Sequence, residues 1–140
     1  MSTGAHKAIV RRFFEKAVNQ RQYEVIDELV ASNFVLHSAL LGEVHGGAAY
    51  KQSVLGLLEP CPDFHATVED LIGAEGDTVV TRLTYRGTDT GGFVKNHTAT
   101  GKPFEFGAIY IWRLVDGNLA ELWQEAGRIR LMQQLGLLAS

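Results

Sequence analysis

The segment Glu59-Pro60-Cys61-Pro62 divides this chain into two parts with different hydrophobic periods, and that change most narrows the folds open to it. The residue before a proline is pushed out of the helical region, and proline has no N–H to donate, so a helix entering this segment must stop there. Upstream, apolar residues recur at helical spacing. Ile9, Val10, Phe13, Phe14, Ala17 and Val18 share one side of a predicted helix over residues 5–20, with Lys7, Arg11, Arg12, Glu15 and Lys16 opposite and Ser2 or Thr3 available as its cap. Tyr23, Ile26, Leu29 and Val30 predict a shorter second helix, and Tyr50, Val54, Leu57 and Leu58 a third over 48–58.

Downstream the period falls to that of strands. Strands are predicted over 64–74 and 78–88, separated by the turn-forming Glu75-Gly76-Asp77. Alternation in TVVTRLTYRGT places Val79, Thr81, Leu83 and Tyr85 on one face and Val80, Arg82, Thr84 and Arg86 on the other. A Gly- and Thr-rich loop, DTGGFVKNHTATG, leads into a long strand, KPFEFGAIYIWRLV, which turns at Asp116-Gly117 and returns as NLAELWQE. A short helix over 128–138 closes the chain, with Gly127 at the joint.

Three helices followed by an antiparallel meander of about four strands is the α+β pattern, with helices on one face of a curved sheet. Helices that cover only part of the concave face leave an apolar pocket. Regular pairing through a two-residue turn puts Tyr110, Trp112, Glu121, Trp123 and Glu125 on one face and Ile109, Ile111, Leu122 and Gln124 on the other. Neither set is simply polar. Both faces are therefore expected to be covered, one by helices and pocket and the other by a second subunit of a homodimer.

With 46% apolar and 21% charged residues and no repeat or linker, the 140 residues are expected to form one domain, 1–140, with a single core. Thirteen basic residues against sixteen acidic ones, scattered along the chain, give no stripe for a phosphate backbone, so nucleic acid is not expected as a partner. Cys61 is the single cysteine, which excludes an internal disulfide and a cysteine metal cluster. The start of the chain lacks a signal-peptide core, and no run approaches the ~20 apolar residues of a membrane span, which makes the cytoplasm the expected location. His6, His45, His65 and His97 fall at no metal-ligand spacing and read as surface or loop residues, so no metal site is expected. The glycine-rich GTDTGG and GEVHGG match neither a Walker loop nor a dinucleotide fingerprint.

Taken together, YRGTDTGGF, TGKPFEFGAIYIWRLVDGNLAELW, the terminal QQLG, and NFVLHSALLGEVHG after the second helix resemble the SnoaL-like polyketide cyclase and ester cyclase family of the NTF2-like superfamily. The resemblance covers nearly the whole chain. It implies an NTF2-like, or cystatin-like, cone with a deep apolar cavity, usually a dimer, working without metal or organic cofactor. The family's name-giving members close rings by intramolecular aldol condensation. Such a reaction requires an acid-base group near a carbonyl and polar donors for the developing enolate.

The resemblance also supplies the candidates. Relatives often carry an acidic acid-base residue four positions after the strand tryptophan; here that position, four after Trp123, is Gly127. Gly127 reads either as a residue that eases the strand-to-helix bend or as one that enlarges the pocket and abandons cyclase chemistry. His37 follows FVL where the family lines its cavity mouth, often with a histidine, and Asp89 stands where many relatives carry histidine. His37, Asp89 and Glu125 are accordingly the catalytic candidates: His37 and Asp89 as a base and its orienting carboxylate, and Glu125 as a carboxylate raised by burial among aromatics. Glu121 shares the reading of Glu125, and for both the reading as a solvated or hairpin-paired residue stands first. Arg82, Tyr110 and Trp123 are the substrate-binding candidates, Arg82 through a substrate oxygen and the two aromatics as pocket walls. An exposed sheet position for Arg82, a loop position for His37 and core positions for the aromatics stand as the structural alternatives.

The function expected is binding of a small apolar or polycyclic carbonyl compound, with cofactor-free acid-base catalysis of aldol-type cyclisation or isomerisation. The alternative is a non-catalytic small-molecule binder or a dimerising scaffold.

Overall fold

The computed structural model describes residues 2–38, 42–94 and 97–138. Residues 39–41 of the NFVLHSALLGEVHG stretch and residues 95–96 of the Gly- and Thr-rich loop lie outside the described residues. Helix α1 (Thr3–Arg12) starts where the Ser2 hydroxyl accepts the Ala5 N–H at 3.1 Å, and it continues as a π-helical segment, Phe13–Asn19. Then follow α2 (Glu24–Leu29), β1 (Val30–Ser38), β2 (Gly42–His45), α3 (Gly47–Leu58), β3 (His65–Gly73), β4 (Thr78–Thr88), β5 (Pro103–Val115), β6 (Asn118–Ala126) and α4 (Arg128–Gln134). Helix α3 ends just before Pro60, as the loss of a donor there requires.

The sheet has six strands in the order β2-β1-β6-β5-β4-β3. The α+β class holds, with two strands more than the predicted meander. Val30, assigned from its spacing to the second helix, begins β1 instead. Strand β1 runs parallel to β6 in an otherwise antiparallel sheet. That pairing needs a long crossover, which no local periodicity records.

Asp116 and Gly117 take φ of 50° and 79°, the left-handed pair that a two-residue hairpin turn demands. The pairing does not continue regularly. Leu114 faces Leu119, but Arg113 faces Glu121, so Ala120 is an extra residue in β6 and both Leu119 and Ala120 are buried. This bulge reverses every later side chain of β6. Leu122 and Gln124 join Tyr110 and Trp112 on the inner face, whereas Glu121, Trp123 and Glu125 join Ile109 and Ile111 outside. The face grouping expected from a regular hairpin is thereby corrected.

Helices and sheet meet around Trp112, which is fully buried and donates its indole N–H to Thr81 Oγ1 at 3.2 Å. Phe13 and Phe14 of the π-helical segment both pack on it, at ring separations of 5.3 and 5.8 Å, and Tyr50 of α3 stacks on Phe13 at 6.0 Å. Truncating such a tryptophan to alanine costs about 3–5 kcal/mol. Asn19 ties the helical layer to the edge strand β3, giving its amide N–H to the Ala66 carbonyl and accepting the Ala66 N–H, each at 2.8 Å. Arg21, at φ 58°, donates to the carbonyls of Val18, Cys61, Pro62 and Phe64, holding the proline segment beneath the helices. Among the described residues no helix is long and apolar enough to cross a membrane.

Candidate functional site

The helical layer stops short of one end of the concave face, and a cavity of about 360 Å³ opens there. That is near the lower end of the range that encloses small organic ligands. Ser53 and Leu57 of α3 form one wall, Tyr85 and Tyr110 the sheet wall, and Leu131 and Met132 of α4 a third. Phe93, Val94 and His97 close it from the 89–102 loop. A smaller void of about 40 Å³ beneath it runs toward Phe13, Phe14 and Tyr50. Ser53, Tyr85, Tyr110 and Gln124 line both spaces, so the polar groups stand between the ligand-sized volume and the aromatic core.

The Tyr85 hydroxyl donates to the Tyr110 hydroxyl at 2.7 Å. Burial drives both phenols well above their usual range, and Tyr85 is raised further by the adjacent Tyr110. They are neutral hydroxyls at any working pH, suited to hydrogen-bonding an oxygen and unsuited to taking up a proton. Gln124 points in from β6 beside them, and its side-chain amide makes no hydrogen bond among the described residues. No Asp or Glu occurs among the described residues that line the cavity. His97 supplies an imidazole in the loop wall, and Arg128 a guanidinium at the start of α4.

Of the six residues singled out from the sequence, Tyr110 lines this cavity and the other five lie elsewhere. Trp123 and Glu125 are on the outer sheet face because of the Ala120 bulge. His37, paired with Trp123 across β1 and β6, is on that face too, its ring stacked on the indole at 5.3 Å and 20°. His37 Nε2 lies 2.6 Å from Glu121, which also accepts from Arg113 Nε at 2.9 Å, while His37 Nδ1 is 3.4 Å from Glu43. The Glu121 hydrogen bond is the main cause raising His37, and the same bond lowers Glu121. Arg82 takes the exposed alternative, its Nε donating to Asp70 at 2.6 Å outside the sheet. His37 and Asp89 are therefore not brought together as base and orienting carboxylate.

Asp89 is 1% exposed and works as a latch for the loop. One carboxylate oxygen accepts the Thr100 N–H and hydroxyl, both at 2.9 Å, while the Asp89 backbone bonds Gly101 and Lys102. The other oxygen is buried without a hydrogen-bond partner among the described residues. This clamp closes the base of the loop that carries Phe93, Val94 and His97 into the cavity wall.

Gly127 has φ −74° and ψ 64°, an ordinary region for φ, so the bend itself does not demand glycine. What favours glycine is proximity: its N–H donates to Gly107 O at 2.8 Å, and an added Cβ would sit 3.3 Å from that same oxygen.

Gln124, Tyr85, Ser53, His97 and Arg128 are the lining residues that sequence reasoning missed. Tyr85 was on a correctly paired face, and Gln124 carries a signal once Ala120 is counted as a bulge, since it then falls in phase with Leu122. His97 had none, because its position depends on how the loop folds back. Among the described residues no three His, Cys, Asp or Glu side chains are grouped to hold a metal ion.

Residues 8–135 match the family described as SnoaL-like polyketide cyclase. No curated protein matches the chain. Among solved structures, AclR of Streptomyces galilaeus, for which a hydroxylase role has been put forward, is 27% identical with a TM-score of 0.84, covering 99% of this chain and 89% of its own. A Bacillus cereus protein assigned a tentative polyketide cyclase role is 30% identical with a TM-score of 0.74, covering 94% and 80%. IdmH of Streptomyces antibioticus, with the same suggested role, is 26% identical with a TM-score of 0.79, covering 94% and 98%.

Proposed function

Because the chain belongs to the SnoaL-like polyketide cyclase family, we propose that its cavity binds a small apolar or polycyclic carbonyl compound and moves a proton next to that carbonyl without a cofactor. The reading rests on one observation: a largely apolar cavity whose inner wall carries the Tyr85–Tyr110 hydroxyl pair beside the Gln124 amide, which has no hydrogen-bond partner among the described residues. These are donors of the kind that hold a carbonyl oxygen as it gains negative charge, and away from bulk water such donors act strongly. An imidazole ring nitrogen can take up a proton and return it, which makes His97 the candidate acceptor. In an aldol-type closure a proton leaves the carbon beside the bound carbonyl for His97. That carbon then bonds to a second carbonyl carbon of the same molecule, and the resulting alkoxide takes up a proton. An isomerisation stops after enolisation and returns the proton to a different carbon.

Proton exchange tests the step without knowledge of the natural substrate. A bicyclic ketone such as tetralone, incubated with the protein in D2O and followed by NMR, is expected to exchange its α-protons faster than in buffer, with the acceleration lost in His97→Ala and reduced in Tyr110→Phe. Binding of the ketone with no acceleration would favour the second reading, a small-molecule binder without turnover. That reading takes its support from the lack of a carboxylate among the described lining residues.

The outer face supports a homodimer formed through the sheet. Ile109 and Ile111 are 51% and 42% exposed, and Trp123 lies in register beside Ile111. Neighbouring exposed apolar side chains of this kind are suited to a partner-binding surface.

A further inference from the structure

The cavity lining carries a charge that no described residue answers. Arg128 lines the cavity, is exposed, and like Arg130 forms no ion pair or side-chain hydrogen bond among the described residues; of the two, only Arg128 lines the cavity, while Arg11, Arg12, Arg82, Arg86 and Arg113 each have a carboxylate partner. His97 lines the same cavity, and no Asp or Glu is found among the described lining residues. An arginine beside an apolar volume is suited to a planar anion, which its fork of N–H groups can bind through two parallel hydrogen bonds.

We infer that the ligand is an apolar carbonyl compound bearing a carboxylate, with Arg128 as the residue that selects for it. The ring system lies against Leu57, Phe106 and Leu131, the carbonyl oxygen points to Tyr110 and Gln124, and the carboxylate is left at the mouth against Arg128. A phosphate fits less well, because a doubly charged group calls for several cations or a nest of backbone N–H groups. This inference rests on the proposed binding role of the cavity and adds the chemical class of the ligand.

The test is isothermal titration of the full chain with naphthoate and with methyl naphthoate, which share an apolar body and differ in charge. Wild type is expected to bind the acid about tenfold more tightly than the ester, the worth of one charge-assisted hydrogen-bonded contact at a partly solvated mouth. In Arg128→Gln the ratio is expected to fall to near one, and in Arg128→Lys part of the preference remains. Equal affinities in wild type, or a ratio unchanged by Arg128→Gln, overturns the assignment of Arg128 while leaving the cavity a binding site. Binding of neither probe overturns the cavity reading and this inference with it.

Discussion

The Tyr85 hydroxyl donates to the Tyr110 hydroxyl at 2.7 Å in the wall of a cavity that contains no carboxylate among its described lining residues. The pair joins two neighbouring strands through their inner faces, since Tyr85 on β4 and Tyr110 on β5 each take the inward position of a strict alternation. Phe14 packs against Tyr110 and Phe64 against Tyr85, so the rings are held by the core while the hydroxyls reach the ligand volume. Core packing and cavity lining therefore meet in the same two side chains.

Tyr110→Phe removes the acceptor of the Tyr85 hydroxyl and is expected to cost about 1–2 kcal/mol, the usual penalty for stranding a largely buried donor. The Tyr85→Phe/Tyr110→Phe double variant, in which neither hydroxyl remains to be stranded, should lose clearly less than the two single losses added together. Urea denaturation of the four proteins measures the coupling; strict additivity would show that the two hydroxyls do not depend on each other.

The outer-face cluster makes part of the stability depend on pH. His37 is raised above its ordinary 6.5, chiefly by Glu121, so its contribution is full below pH 6.5 and is lost as pH rises through the raised value. Glu121 is lowered below its ordinary 4.5 by His37 and Arg113, so its contribution is full above 4.5 and is lost as pH falls through the lowered value. The pair is fully ionised in the folded protein between those two ordinary values. His37→Gln is expected to flatten the decline in stability above pH 6.5, and the His37 ring protons, followed by NMR, should titrate above that value. Glu43 also faces His37, so Glu43→Gln should lower the His37 midpoint by less than Glu121→Gln does.

Asp89→Asn keeps the shape of the latch and removes its charge. With Thr100 donating through both N–H and hydroxyl to one oxygen, the loss is expected to be about 1–2 kcal/mol. The loop base should then exchange amide hydrogens faster at Thr100 and Gly101, and a cavity ligand should bind more weakly without any change in the outer-face cluster. Hydrogen exchange resolved by residue checks both; unchanged protection at Thr100 would show that the backbone bonds of Asp89 hold the loop unaided.

Ile109→Lys together with Ile111→Lys places two cations in the exposed apolar strip. The expected result is a shift from dimer to monomer in analytical ultracentrifugation, with the far-ultraviolet circular dichroism of the wild type retained. A wild-type chain that sediments as a monomer at high concentration would remove the proposed sheet interface.

Local chemistry in the sequence was enough for most of the elements. The proline segment ends α3, the Asp116-Gly117 turn makes the hairpin, and alternation in β4 sorts Tyr85 inward and Arg82 outward, each through contacts within a few residues. Tyr110 was legible for the same reason, because β5 alternates without interruption along its whole length. The other site residues depended on relations that short windows do not contain. One extra residue at Ala120 turned Trp123 and Glu125 away from the cavity and Gln124 into it, because side chains alternate with a period of two and a shift of one reverses them all. The parallel seating of β1 against β6 carried His37 to the outer face, and the closure of the 89–102 loop through Asp89 brought His97 into the wall. The sequence by itself determined the helices, the four strands after the proline segment and the class of fold they make, but not β1 and β2. Tertiary structure alone decided which polar side chains share the cavity, since register, crossover and loop closure are settled by packing between residues far apart in the chain.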